Sequence, residues 1–331
     1  MANITEAVTS INDLITKLDT FMVGQGWTQD QLDTGAGKWA IHKTGIGDDV
    51  YVQARWATAS PTVIGLYQST GFINTSTDPG NHTGDSGNGI ISGTNATIAT
   101  GRHVNVGTPI RYWAYADTDY VHVVVERQSA GERQFVHFGF GVLSKIGSWT
   151  GGSYCYGWLY DTATGAGNRL SCTVLLDGLA ATDATSNMQN YVATVRLSGF
   201  RNQTVSPWAV VQGANATLGN DRGVNARNRV VGGFRGGPIA RAFGRLQTQN
   251  QKGLMPGYPV MIWYWNTTNN HIEPMGFQKD VRGVNMQFHS PGDEITVGSD
   301  TWVVFPSHIK YPGSGLAAGS SGYQGIIYRK F

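Results

Sequence analysis

Six arginines crowd the stretch between positions 222 and 245: Arg222, Arg227, Arg229, Arg235, Arg241 and Arg245, interleaved with six glycines. A guanidinium presents a planar fork of donors that fits a phosphate and a carboxylate equally well. The stretch therefore reads as a phosphate-facing loop, for instance beside DNA passing through a lumen. The favoured reading is the plainer one, a solvated loop that makes salt bridges between subunits.

His122 and His137 stand on the two arms of a hairpin, and register decides what they can do together. If Arg127 lies opposite Arg133, the imidazoles point to opposite faces; a one-residue slip sets them directly across from each other. A third ligand is missing in either register, so no metal site is expected. Gly35-Ala36-Gly37-Lys38 resembles the end of a phosphate-binding loop. Leu32 occupies the place of its first glycine, however, and Trp39 the place of the magnesium-binding hydroxyl, which leaves a turn before a strand. The loop from Asp78 to Asn88, with His82 and Asp85, gathers oxygen ligands without calcium-loop spacing and reads as polar surface.

Glycoside cleavage needs two carboxylates roughly 5–10 Å apart beside an aromatic platform. Asp117, Asp119, Asp177, Asp280, Asp293 and Glu294 are available, and spacing selects no pair among them. There is no G-x-S-x-G elbow for a serine nucleophile. The expectation is a chain with no catalytic residues, no metal and no cofactor.

Composition points the same way. Charged residues make up 14% of the 331 positions, against roughly 25% in an ordinary globular protein. A surface so poor in charge suits a subunit that covers much of itself with other subunits. The net charge of +2 is no nucleic-acid footprint over the whole chain. Cys155 and Cys172 lack the C-x-x-C spacing of zinc or redox sites and read as buried thiols, although a hairpin could bring them face to face. No signal-peptide pattern and no membrane-length apolar run is expected, so the N-x-[ST] sequons reflect Asn/Thr-rich composition.

The elements that must position these residues are mostly strands. Ile4, Ala7, Val8, Ile11, Leu14, Ile15, Leu18, Phe21 and Met22 recur at helical spacing. Asn3 and Glu6 look like a capping box at the start, and Gly24 like a left-handed stop. Alternation predicts strands at 38–43, 50–56, 62–68, 111–115, 120–126, 134–143, 153–160, 172–176, 191–196, 260–265, 294–298, 302–305 and 325–329. Within 120–126 the valines alternate with His122, Val124 and Glu126, as in a strand buried mainly on one face. Ser129-Ala130-Gly131 marks the hairpin loop. The predicted fold is mainly β, with antiparallel sandwich or barrel-like domains and one amphipathic N-terminal helix packed on a sheet. A boundary near Ala180–Asn187 divides residues 1–180 from a second β-rich region, 181–331, unless the two form one intertwined unit.

Several blocks resemble virion structural proteins of the neck and tail of tailed bacteriophages. They are the opening helix running into Gly26-Trp27-Thr28, YVQARW (Tyr51–Trp56), GLYQSTGF (Gly65–Phe72) and PGNHTGDSGNG (Pro79–Gly89). YVHVVVE, HFGFGVLSKIGSWTGG (His137–Gly152), DTWVVFP (Asp300–Pro306) and SGYQGIIYRK (Ser321–Lys330) resemble them most. The resemblance implies a non-enzymatic collar-like component of the virion, a homo-oligomeric ring of six or twelve subunits at the head–tail connection. Its partners would be itself, other neck and tail proteins and packaged DNA, with no membrane. Trp27, Trp56, Trp113, Trp149, Trp158 and Tyr323 are its candidate aromatic anchors, in the core or at an interface. Two alternatives stand beside it: a tail appendage binding a host receptor or glycan through Trp263-Tyr264-Trp265, and a polysaccharide-cleaving tail enzyme.

Overall fold

The computed structural model describes residues 1–59, 62–84, 102–129, 132–157, 159–161, 169–171, 193–198, 200, 208–213, 228–232, 258–266, 271–286, 288–306 and 324–331. Its elements in chain order begin with β1 (Ala2–Ala7), α1 (Ile11–Gly24), β2 (Thr28–Asp33), β3 (Lys38–Lys43), β4 (Val50–Trp56), β5 (Val63–Ser69) and β6 (Arg102–Asn105). There follow β7 (Pro109–Asp117), β8 (Tyr120–Ser129), β9 (Glu132–Val142), β10 (Ser144–Lys145), β11 (Ser153–Tyr156), β12 (Leu159–Asp161), β13 (Arg169–Ser171) and β14 (Ala193–Arg196). The chain continues through β15 (Trp208–Gly213), β16 (Asn228–Gly232), β17 (Tyr258–Asn266), β18 (His271–Asn285), β19 (Glu294–Val297), β20 (Asp300–Pro306) and β21 (Gln324–Lys330). The protein is mainly β, and its sheets are antiparallel apart from the parallel pair β15–β16.

Strands β2 to β6 form one sheet, in chain order. A second hydrogen-bonded path runs β1-β7-β8-β9-β11-β14-β15-β16-β17-β18-β21-β20-β19. It doubles back so that β20 and β21 lie over β7, β8 and β9. Trp113 meets Phe305 at 4.9 Å between ring centroids, and Tyr115 stacks on Tyr328 at 5.2 Å. On its other face the same middle sheet meets the first sheet, where Phe140 packs edge-on to Trp27 at 5.4 Å and lies 6.1 Å from Trp39. The result is three layers with a middle sheet covered on both sides. Val121, Val123 and Val125 are buried, and so are His122, Val124 and Glu126. The alternation in β8 thus separates two buried faces rather than an inner from an outer one.

The helix is shorter than its periodicity predicts. Residues 2–7 are strand β1, paired with β7 from Ala2–Ala116 to Ala7–Arg111. A partner edge outweighs local helical spacing there, because β1 satisfies its backbone along β7. The helix starts instead at Ser10, whose side chain accepts from the Asp13 amide at 3.1 Å. It ends at Gly24 with Gln25 as its cap, and the left-handed stop is Gly26, not Gly24: the Gly26 amide reaches Val23 O at 2.9 Å, the Trp27 amide reaches Met22 O at 3.1 Å, and Gly26 takes φ 79°. That is a Schellman closure with the glycine one residue past the cap. Ile11, Leu14, Ile15, Leu18 and Met22 face inward. Two indoles fasten the helix to the first sheet: Trp39 Nε1–H donates to Asp19 Oδ1 at 2.7 Å and Trp56 Nε1–H to Asn12 Oδ1 at 2.8 Å.

Gly35-Ala36-Gly37-Lys38 is the β2–β3 turn. Asp33 Oδ1 accepts from the Ala36 amide at 2.8 Å, and a Cβ on Gly37, at φ 67°, would stand 2.2 Å from Trp56 O. Glycine is required here by backbone crowding rather than by a phosphate. Strands β3 and β4 coincide with their predicted spans. The span 153–160 divides into β11 and β12. The predicted strand 172–176, the boundary region 180–187 and Cys172 lie outside the described residues. Cys155 is buried on β11.

Candidate functional site

The residues that could do chemistry are drawn into the contacts between layers. The hairpin ladder of β8 and β9 closes at Ser129–Glu132, which leaves a two-residue connection and sets Arg127 opposite Gln134. His122 therefore faces Gly139, and His137 faces Val124. This is a slip in the sense opposite to the one that would juxtapose the imidazoles. It puts both rings on one face, diagonal to each other, aimed at the third layer.

Each imidazole is held at both ends. His122 Nε2 lies 2.9 Å from Lys279 O and its Nδ1 2.9 Å from the Tyr156 hydroxyl. His137 Nε2 lies 2.9 Å from Pro306 O and its Nδ1 2.8 Å from the Tyr328 hydroxyl. A carbonyl only accepts, so both rings carry their hydrogen on Nε2 and use Nδ1 as acceptor. Each tyrosine hydroxyl thus donates to one imidazole, Tyr156 to His122 and Tyr328 to His137. Burial outweighs the carbonyl bonds and pushes each imidazole down to about 4, and burial likewise raises the Tyr156 hydroxyl far above its usual range. Gly139 makes room for this arrangement, since a Cβ there would stand 2.8 Å from the Tyr156 hydroxyl and 2.4 Å from Val121 O.

Beside these two pairs, Tyr120 donates to Asp280 Oδ2 at 2.7 Å, and Arg329 bridges Asp280 at 3.3 Å to Asp300 at 2.6 Å. Asp280 is in the left-handed region at φ 52°, an unusual conformation for a non-glycine residue that these two bonds hold in place. Lys279 pairs with Asp119, the Met1 amino group with Asp117 at 3.4 Å, and Lys330 with Glu294 at 2.6 Å. Asp293 accepts from the Ser290 amide at 2.6 Å. Five of the six candidate carboxylates thus have assigned partners in the fold; Asp177 lies outside the described residues.

On the outer face of the first sheet, the described part of the 78–88 loop exposes Asn81, Thr83 and Gly84 and is anchored by Asp78 and His82. Asp78 pairs with Lys38 at 2.7 Å and Arg55 at 3.5 Å, and the Lys38 hydrogen bond holds its carboxyl below the usual range. His82 is buried, stacks on Phe72 at 4.6 Å and accepts from the Ile73 amide at 3.1 Å. Among the described residues no three His, Cys, Asp or Glu side chains are placed to share a metal ion.

Four of the aromatic anchors are core residues. Trp27, Trp56, Trp113 and Trp149 are buried. Trp149 packs edge-on to Phe200 at 5.2 Å. Trp158 and Tyr323 lie outside the described residues. Of Trp263-Tyr264-Trp265, Tyr264 is buried against Phe200 at 5.2 Å, and Trp263 is half-buried. Arg229 belongs to β16, where it pairs with Trp265; Arg222, Arg227, Arg235, Arg241 and Arg245 lie outside the described residues. Among the described residues, apart from Met1, the large apolar side chains left most open are Phe288, 65% exposed, and Val297, 59% exposed. Phe288 belongs to no regular pattern in the sequence and Val297 lies in the predicted strand 294–298, so only their position in the fold marks them as exposed. No helix among the described residues is long and apolar enough to cross a membrane.

A comparison with protein-family models and with curated proteins finds no match.

Proposed function

We propose that this protein is a non-enzymatic structural component of a tailed-phage virion, a collar-like subunit that joins copies of itself and other neck or tail proteins into a ring. The observation that carries this reading is how the reactive groups are used. The imidazoles of His122 and His137 and the carboxylates of Asp119 and Asp280 tie one layer to the next. Side chains committed in that way serve rigidity, which an obligate subunit requires. The low charge content and the phage-like blocks along the chain support the same reading.

The four buried tryptophans hold the subunit together, so subunit contacts in this proposal fall to exposed apolar residues such as Phe288 and Val297. The arginine-rich stretch 222–245 then serves subunit salt bridges or the DNA-facing wall of the ring. Light scattering coupled to size-exclusion chromatography, with imaging of the particles, tests this. Closed rings of six or twelve copies, alone or with co-expressed neck proteins, support it. A trimer that binds glycans would replace it with the receptor-binding appendage. A protein that neither assembles nor joins any virion particle would overturn it.

A further inference from the structure

We infer that Gln31, Gln53 and His82 form a binding site for one internal water, which rivets the segment 70–84 to the outer face of the first sheet. Gln31 of β2 and Gln53 of β4 flank Ala40 of β3, because Ala40 is paired with both. Residues paired in this way share one face of a sheet, and the alanine leaves room between the two longer side chains. The Gln31 amide nitrogen donates to Thr75 O at 2.9 Å, and the Gln53 amide nitrogen donates to Ser69 Oγ at 2.7 Å. Ser69 Oγ passes its own hydrogen to Gly71 O at 3.0 Å. Both amides are oriented by these bonds, and each leaves its Oε1 buried with no partner.

The segment is fastened across this face at Gly71, at Thr75 and at Asp78, which reaches Lys38 and Arg55. Ile73 stands midway between the first two anchors. Its amide donates to His82 Nδ1 at 3.1 Å, so the neutral ring carries its hydrogen on Nε2. His82 is only 4% exposed, and this Nε2–H is buried without a partner as well. Two acceptors and one donor are therefore left over beneath one short segment, and buried polar groups in folded proteins are satisfied by protein or by ordered water. Their complement must bring two hydrogens and one lone pair. A metal ion or an ammonium suits the two oxygens and offers nothing to the Nε2–H. An anion suits the Nε2–H and is repelled by the oxygens. A neutral water matches all three, and about three hydrogen bonds is the usual number for an internal water.

The test is NMR on protein labelled with ¹⁵N-histidine, with His82→Gln assigning the Nε2–H signal. The expected result is a rotating-frame cross-peak from the Nε2–H to water, with the sign of direct contact rather than of exchange. Ala40→Val fills the space between the two glutamines. It should abolish that cross-peak while the Nε2–H signal persists, and oxygen-17 relaxation dispersion of water should count one long-lived water fewer. A crystal structure of the unaltered protein should show one water within hydrogen-bond reach of Gln31 Oε1, Gln53 Oε1 and His82 Nε2. An Nε2–H that shows no contact with water would overturn the inference, and so would a cross-peak that survives Ala40→Val. Crystal density in which protein groups bond directly to both amide oxygens would overturn it too, and that density decides if the variant does not fold.

Discussion

The two faces of the middle sheet solve the same problem by different physics. Toward the first layer, Val121, Val123, Val125, Val136, Phe138 and Phe140 meet Trp27, Trp39 and the helix in an apolar contact. Toward the third layer, the same strands present His122, His137 and Tyr120 to tyrosines, carbonyls and Asp280. Apolar packing is non-directional and tolerates small shifts of one layer over another. A set of buried hydrogen bonds fixes distance and angle, because each unmade bond leaves a desolvated polar group. One face supplies adhesion, and the other supplies register.

Acid should separate the two faces most sharply. With folded imidazoles near 4 and the ordinary value at 6.5, the unfolded chain binds protons that the folded one refuses in that window. Stability should be flat above pH 6.5 and fall below it, by up to about 2.7 kcal/mol per pH unit for two such groups. Denaturant midpoints measured from pH 8 to pH 4.5 check the slope, and it should shrink in a His122→Gln, His137→Gln double variant. Phe140→Ala, on the apolar face, should cost about 3–5 kcal/mol. That loss should be the same at pH 7.5 and pH 5.5, and a pH-dependent loss would blur the contrast. Trp56→Phe keeps most of the ring but removes the bond to Asn12 and should cost about 1 kcal/mol, read as a small drop in thermal midpoint. Lys330→Ala breaks an exposed pair with Glu294 and should change stability by less than about 1 kcal/mol. Phe288→Ser should leave folding intact by circular dichroism and weaken assembly, if the proposed subunit contacts use that residue.

Much of the apolar face was legible from alternation, and little of the polar one. Strands β3 and β4 fall where β-branched and aromatic residues alternate without interruption. β18, the longest strand, escapes that pattern because Pro274, Gly276, Lys279 and Asp280 break it. The structure accommodates the interruptions with register shifts along β17 and a left-handed Asp280. β1 was hidden inside a helical period that its pairing with β7 overrides. The meeting of His122 and His137 on one face turned on a single residue in the hairpin connection, which composition does not specify. Their tyrosine partners lie 34 and 191 positions away in the chain, and no local spacing encodes that. The tryptophans show the same limit from the other side: alternation locates them on strands but does not say which surface they meet.

The enclosure of the middle sheet between two others also sets a clock. Backbone amides of Val121 to Val125 have a neighbouring strand on each side and a packed layer above and below. They can trade hydrogen for deuterium only when the layers part, at a rate that reports the opening of the whole molecule. β19, the last strand of its path, has a partner on one side only and lies largely exposed. Deuterium should therefore reach Glu294–Val297 first and the valines of β8 last, and the interval between them measures how firmly the outer layers clamp the middle one.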